Sequence, residues 1–532
     1  MSQRFRILVA DAISSSGLAP LVDDDRFEVI ERTGLEGDEL AAALAEADAV
    51  IVRSATRITR EALASANGLR VIGRAGVGVD NIDVAAATER GIAVLNAPSG
   101  NTISAAELTL ALLLSLVRRV PAADRSMRAG EWDRKSFQGN ELYGKTLGLV
   151  GAGRIGGEVA RRAQAFGMRV MAYDPFLSEE RAASLKMELA QLKVVLATAD
   201  VVSVHVPLTD ATSGLLDAAR LAGMKRGAFL VNAARGGVVD EAALLEALKS
   251  GHLAGAALDV YREEPLPADH PLRAVDNLVL TPHLGAATAE AQENVAVEIA
   301  EAVRAALLEN DLSRAINAPA LGGEAMQRLA PLLDLATRVG RLGAALVEGA
   351  VRRVEVRYAG GHDDALRPVL SSVLVGLLEK VVGRGGVNLV NAVHLAESRG
   401  ITVARTGVGP RGDYADYVDM RATTAAGETR VTGALVAGLF PRIVRIREFH
   451  LNVRAHGSLV VLRNQDVPGV IGHVGTVLGE AGVNIAEYHQ AREAAGGEAM
   501  AALNVDAPLP PSVVEALRAV PEVMDVRQVM LD

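Results

Sequence analysis

The chain has 532 residues, half of them hydrophobic and 23% charged, with no cysteine and a formal net charge of −10. At about 150 residues per domain this length suggests about three or four domains, and the composition can fill a core in each, which excludes a mainly disordered chain. The missing cysteine removes disulfides, thiolate zinc sites, iron–sulfur clusters and thiol nucleophiles, and the acidic balance argues against a nucleic-acid binder.

The N-terminal run Arg6–Ala10 is too short for a signal peptide and reads as a first strand. Phe27–Glu31, Ala49–Val52, Leu69–Gly73 and Ile92–Asn96 follow as further strands, separated by helices such as Asp38–Ala47 and Arg60–Ala66. Their apolar runs are continuous, not alternating, as in parallel strands covered on both faces. A long apolar helix is expected from Asn101 to Val120, stopped by Pro121. Its stretch Leu108–Val117 is the longest near-apolar run, ten residues against the roughly 20 that span a bilayer. A soluble cytoplasmic protein with no membrane partner is therefore expected.

A second βα series occupies about 145–285, with strands at Thr146–Val150, Arg169–Tyr173, Val201–Val206, Ala228–Asn232, Gly255–Val260 and Asn277–Leu280. Six strands with intervening helices match a doubly wound dinucleotide fold. Thr288–Glu309 is a strong helix, and Asn317-Ala-Pro319 a boundary after it. Residues 323–349 read as helix, Val351–Tyr358 as a half-buried strand, and 400–452 as strand-like runs such as Gly427–Thr432. The tail runs strand Ser458–Leu462, helix Val470–Glu480, strands Asn484–Gln490 and Ala499–Val505, helix Pro511–Ala519 and strand Met524–Met530. That βαββαβ order is ferredoxin-like.

Gly151-Ala-Gly153-Arg154-Ile155-Gly156 fits the pattern G-x-G-x-x-G. Such a string arises by chance about 0.5 times at this glycine content, so context decides. Gly407-Val-Gly409-Pro-Arg-Gly412 fits too, but no apolar-periodic helix follows it. The first copy directly follows a strand and opens a helix, and Asp174 ends the next strand 18 residues after Gly156. Gly151 permits a tight turn, Gly153 a close approach of backbone to pyrophosphate, and Gly156 close helix–strand packing. The helix start attracts phosphate. The Asp174 carboxylate accepts from ribose hydroxyls and repels a 2′-phosphate, favouring NAD over NADP; the bland alternative is a glycine-rich turn in an ordinary βαβ unit.

Three later strands end in Asn-Ala233-Ala234-Arg235-Gly-Gly, Asp259-Val-Tyr-Arg-Glu-Glu264-Pro and Thr-Pro-His283-Leu-Gly285. A guanidinium, a carboxylate and an imidazole on neighbouring strand ends suit oxidation of a 2-hydroxy acid. His283 would take the hydroxyl proton, Glu264 would orient its ring, and Arg235 would hold the carboxylate. Alone, each of the three is more often structural.

Together these motifs resemble the D-2-hydroxy-acid dehydrogenase family. Val-Arg53-Ser-Ala-Thr, Gly73-Arg74-Ala-Gly-Val-Gly-Val-Asp-Asn and the long tail are similar to its phosphoglycerate-oxidising branch, over essentially the whole chain. The resemblance implies an α/β fold with a doubly wound NAD-binding domain (99–286) inserted in a flavodoxin-like substrate domain (1–98 and 287–317). A mixed α+β intervening domain (318–452) and a ferredoxin-like ACT domain (457–532) would follow. It implies NAD as cofactor, contacted by Arg154, Ile155, Asp174, Ala233, Ala234, Arg235, Asp259, His283 and Gly285, with no metal. It also implies oxidation of 3-phosphoglycerate to 3-phosphohydroxypyruvate, the first step of phosphorylated serine synthesis. Arg53 and Arg74 would bind the substrate anions, with Arg134 and Lys135 reaching a neighbouring subunit's cleft in a homodimer at least, and a tetramer by expectation. Asn464, Asp466 and Asn484 would hold serine as effector, and Arg442 and Arg454 an anion. Val77 stands where some relatives have threonine, and Asn464 where histidine or tyrosine is commoner. The alternatives are a glyoxylate or hydroxypyruvate reductase, which would lack the tail, and a non-enzymatic NAD-sensing protein.

Overall fold

The computed structural model describes residues 4–362, 364–383, 385–408 and 416–532, so Gly409–Gly412 of the second glycine string lie outside the described residues. The chain builds four sheets in succession. In spatial order the first contains Phe27–Glu31, Phe5–Val9, Ala49–Val52, Val71–Arg74 and Ala93–Asn96, all parallel. One face buries Ile7, Val9 and Ile51 against Val295, Ile299 and Val303, and the other buries Leu8, Val50 and Ile72 against Leu40, Leu44 and Leu63. The residues at 295, 299 and 303 come from the helix Ala289–Glu309, which returns from far along the chain. Thr288 caps that helix, accepting from the Ala291 N–H at 3.1 Å. Gly73 makes the approach possible, because a Cβ there would lie 2.8 Å from Val303.

The expected helix from Asn101 to Val120 is two helices, Thr102–Val117 and Val120–Arg128. Arg119 turns into the left-handed region at φ 56°, and Pro121 sits in the first turn of the second helix. There proline's missing N–H costs nothing, so it starts a helix instead of merely ending one.

The second sheet has seven parallel strands instead of six. The extra one is the two-residue edge strand Glu188–Leu189, too short to carry a sequence pattern. The spatial order is Leu278–Leu280, Gly255–Leu258, Phe229–Asn232, Val201–Val204, Thr146–Val150, Arg169–Tyr173 and Glu188–Leu189. The order reverses between Thr146–Val150 and Val201–Val204, and the carboxyl ends of these strands open a crevice.

The third sheet is mixed: Arg353–Ala359 pairs parallel with Thr402–Val408 and antiparallel with Asp416–Thr423, and Glu428–Val436, Phe440–Ile446 and Phe449–Arg454 continue antiparallel. Helices Gly323–Leu346 and Leu366–Val382 cross at Gly340 and Gly376, where an added Cβ would meet backbone oxygen of the other helix at 2.0 Å. The fourth sheet has Ile485–Arg492, Glu498–Val505, Ser458–Gln465 and Val523–Met530 side by side, with helices Val470–Glu480 and Pro511–Arg518 on one face. No helix among the described residues is long and apolar enough to cross a membrane.

Candidate active site

At the crevice the glycine loop is fixed sterically. Gly151 has φ 93°, and a Cβ there would come 2.7 Å from the His205 carbonyl oxygen; one at Gly156 would come 2.5 Å from the Gly151 oxygen. Gly153 instead faces open space and leads into the helix Arg154–Ala165, with no side chain capping its first N–H groups. Those N–H groups remain for an anion. Asp174 braces the loop, accepting from the Ala152 N–H and the Phe176 N–H, both at 2.9 Å.

The cavity here has a volume of about 370 Å³, and Gly153, Arg154, Ile155, Ala233, Ala234 and Gly285 form its nucleotide-side wall. An uncapped helix start, an open glycine and a strand-end carboxylate fit a dinucleotide. His205, another lining residue, shares a 2.9 Å hydrogen bond with Ser203, and burial pushes its imidazole down to about 4, so it is neutral. Sequence reasoning missed it, although its place just after Val201–Val204 was a signal.

Three strand ends converge on the same cavity. After Phe229–Asn232, the Asn232 amide donates to the Arg235 carbonyl at 2.9 Å and its oxygen accepts from the Ala234 N–H at 3.1 Å. Gly236 lets this turn lie on the next one, since a Cβ would stand 1.8 Å from the Tyr261 oxygen. Asp259 is fully buried and accepts from the Leu284 and Gly285 N–H groups at 2.8 and 2.9 Å and from the Thr281 hydroxyl at 2.6 Å. Burial pushes its carboxyl up, against those bonds.

The His283 N–H donates to the Asp259 carbonyl at 2.9 Å and holds His283 at φ 55°, a conformation rare for a residue with a side chain. His283 Nδ1 lies 2.7 Å from Glu264 Oε2, while Glu264 Oε1 accepts from the Tyr261 N–H at 2.9 Å. Burial pushes the Glu264 carboxyl up, but the His283 and Tyr261 bonds and the charge of Arg235 outweigh it and leave the group below its ordinary value.

Arg235 and Arg74 reach the cavity from opposite walls. The Arg235 guanidinium donates to the Ala234 carbonyl at 2.7 Å. Arg74 is largely buried, its Nε has no hydrogen-bond partner, and burial next to Arg235 pushes it down to about 10. Its Nη1 donates to the Ala75 carbonyl at 3.1 Å, and the guanidinium brings positive charge to the cavity wall.

Other expected residues lie elsewhere. Arg53 does not line the cavity; its guanidinium donates to the Ala12 carbonyl at 3.2 Å. Arg134 and Lys135 are exposed and also lie away from it. Asn464 is buried, Asp466 is bonded to Arg492 at 2.8 Å, and Asn484 donates to Asp506 at 2.8 Å. The pairing Ser458–Val505–Ile485 at one end of the fourth sheet and Gln465–Glu498 at the other puts Asn484 opposite Asn464 and Asp466. One chain alone does not unite these three. Arg442 and Arg454 both engage the Glu487 carboxylate, at 3.3 and 2.6 Å.

The nucleotide-side architecture and the strand-end residues define a D-isomer-specific 2-hydroxyacid dehydrogenase. The NAD-binding domain model of that class matches residues 110–285. The D-3-phosphoglycerate dehydrogenase intervening domain matches 328–447 and the ACT domain 458–522. The chain is 40% identical over 527 residues to the D-3-phosphoglycerate dehydrogenase of Bacillus subtilis, covering 99% of this chain and 100% of the relative. It is 43% identical over 516 residues to that of Mycobacterium tuberculosis, covering 96% and 97%. It belongs to the D-3-phosphoglycerate dehydrogenase family. Among solved structures it is similar to a Thermus thermophilus protein (44% identity, TM-score 0.53, 57% of this chain and 97% of that one). It is also similar to the NAD-dependent formate dehydrogenase of Staphylococcus aureus in complex with NAD (31%, TM-score 0.51, 57% and 96%). The chain is an NAD-dependent oxidoreductase with a C-terminal ACT domain.

Proposed function

We propose that the chain oxidises 3-phosphoglycerate to 3-phosphohydroxypyruvate at the first step of serine synthesis. The observation that carries this is the convergence of His283, Arg235 and Arg74 on one cavity. NAD would be held by the Gly151–Gly156 turn, Asp174, Asp259 and the Ala233–Arg235 and His283–Gly285 segments, and when bound supplies the two-electron acceptor. His283, its Nδ1 engaged by Glu264, takes the hydroxyl proton on Nε2; Glu264 stabilises the imidazolium. Arg235 clamps the substrate carboxylate and Arg74 answers the second anion.

The domain division of 1–98 with 287–317, 99–286, 318–452 and 457–532 is supported by the four successive sheets. A cytoplasmic homo-oligomer, a dimer at least, gives Arg134 and Lys135 a partner cleft. A second copy would also bring Asn484 to Asn464 and Asp466 for a serine effector. The test is the initial rate of NADH loss with phosphohydroxypyruvate, with and without serine. Turnover well above that with glyoxylate or hydroxypyruvate is expected; NADH binding without NADH loss defeats the reading and leaves an NAD sensor.

A further inference from the structure

We infer that Asp80 is a displaceable counter-ion of the cleft, a carboxylate that stands at Arg235 until the carboxylate of the substrate takes its place and that thereby sets the substrate's KM. This rests on the 3-phosphoglycerate reading and deepens it.

Asp80 lies in the turn after the strand Val71–Arg74, on the cleft wall facing Arg235. The backbone of the turn is firmly held. Asn81 donates to the carbonyls of Arg53 and Thr56 at 2.7 and 2.6 Å, the Ile82 N–H donates to Val79 at 2.9 Å, and Asn96 donates to the Val77 carbonyl at 2.8 Å. The side chain is not held: it is 70% exposed, and its Oδ2 stands 3.5 Å from Arg235 Nε, across the cleft from one sheet to the other. Gly78 leaves room for the pair, because a Cβ there would lie 2.2 Å from Arg235 Nη2 and 2.8 Å from Asp80 Oδ2. Among the residues lining the cavity, Asp80 is the one carboxylate, and the arginines there are Arg74, Arg154 and Arg235.

With its carboxylate so exposed and 3.5 Å from a guanidinium that is 25% exposed, the pair contributes little to folding. Its effect is on what enters. An incoming carboxylate must compete with Asp80 for Arg235, and a second anion must approach Arg74 within the field of the same aspartate, whose charge partly offsets the burial of that arginine. When product forms, the return of Asp80 to Arg235 eases release. Asp80 acts through Arg235 and has no part in the chemical step. Had its purpose been to aim Arg235, an oxygen acceptor would suffice and its loss would weaken binding.

The two possibilities differ in sign. In the full chain, Asp80→Asn and Asp80→Ala should each lower the KM for 3-phosphoglycerate by about three- to fivefold, with kcat equal or lower. The difference from the unmodified chain should shrink at high salt, since an exposed charge is screened. An unchanged Kd for NADH in both variants shows that the nucleotide side is intact. A KM raised in Asp80→Ala and restored in Asp80→Asn, or a KM unmoved in both, overturns the inference. No turnover of 3-phosphoglycerate by the unmodified chain instead defeats the function on which it rests.

Discussion

His283 occupies a left-handed backbone conformation that costs a residue with a side chain about 1 kcal/mol or more. Two backbone bonds, to the Asp259 and Thr281 carbonyls at 2.9 and 3.1 Å, hold it there, and the result is a ring within reach of Glu264. Glutamine at 283 keeps a polar side chain but cannot take a proton. We expect His283→Gln to lower kcat about 10²- to 10⁴-fold, measured in single turnover, with the Kd for NADH within about twofold. Loss of both together would make the residue structural. Asp174 braces the Ala152 N–H, and the proposed function gives it a second task, receiving the ribose hydroxyls. Asp174→Ala should weaken NAD about tenfold and narrow the preference for NAD over NADP, read from kcat/KM with each dinucleotide. An unchanged preference would put ribose recognition elsewhere.

The strands Asp416–Thr423 and Glu428–Val436 carry a buried charge cluster between them. Asp419 is 1% exposed and accepts from Arg430 and the Thr432 hydroxyl, both at 2.6 Å, with Arg421 at 3.4 Å. Burial pushes its carboxyl up, but the arginines and the hydroxyl win and hold it below the ordinary 3.8. A depressed native value means the stabilisation is complete at neutral pH. It declines as the pH falls below 3.8 and is gone once the pH passes the native value. Asp419→Asn should therefore cost about 2 kcal/mol at pH 7 in urea unfolding, with the gap to the parent closing in acid. A gap independent of pH would mean that packing, not charge, is lost.

Elements of this kind show what a sequence discloses. The parallel strands were legible because their faces are both covered and their runs continuous, and His283, Glu264 and Arg235 because each lies in the turn that follows such a strand. The break at Arg119 and the strand Glu188–Leu189 were not, since a single left-handed residue and a two-residue pairing leave no period. The direction of the Arg53 side chain was not legible either. It follows its strand just as Arg74 ends the next, but its guanidinium donates to the Ala12 carbonyl while Asp11 accepts from its backbone N–H, and only three-dimensional packing tells which way such a side chain goes.

At the scale of the molecule, one face of the fourth sheet shares a core with the third sheet while its other face, like the first two sheets, keeps its own. Leu459, Val461, Met500, Ala502 and Leu531 of the last module are buried in a cluster with Leu335, Val339, Leu342, Val431 and Ile443. Arg341 donates to the Leu531 carbonyl at 2.7 Å, and Arg338 pairs with Asp532 at 3.4 Å. The link to the first sheet is narrower. Asn317 accepts from the Val94 N–H and donates to Thr88 and Ile92, all at 2.9 Å, and Asn388 donates to the Gly91 carbonyl at 2.8 Å. All of these grip one corner, whose strand runs on to Asn96 and the cleft turn at Val77.

Two truncations separate these arrangements. A chain ending at residue 317 keeps the helix Ala289–Glu309 and the Asn317 clasp, and loses the Asn388 bond, the Leu321 carbonyl that accepts from the Leu312 N–H, and the packing of Ala318 and Val390 at the edge of the first core. It should stay soluble, bind NADH and melt within about 5 °C of the corresponding transition in the full chain. A chain ending at residue 456 strips the fourth sheet from the shared cluster and takes the Leu531 carbonyl and Asp532 from Arg341 and Arg338, which keep Glu379 on one side and Asp334 and the Ala455 carbonyl on the other. Exposed apolar surface of that kind favours association, so this longer fragment should be the one that aggregates on expression and gel filtration. If the longer fragment is the monodisperse one and the shorter precipitates, the shared core is not what holds the two C-terminal sheets together.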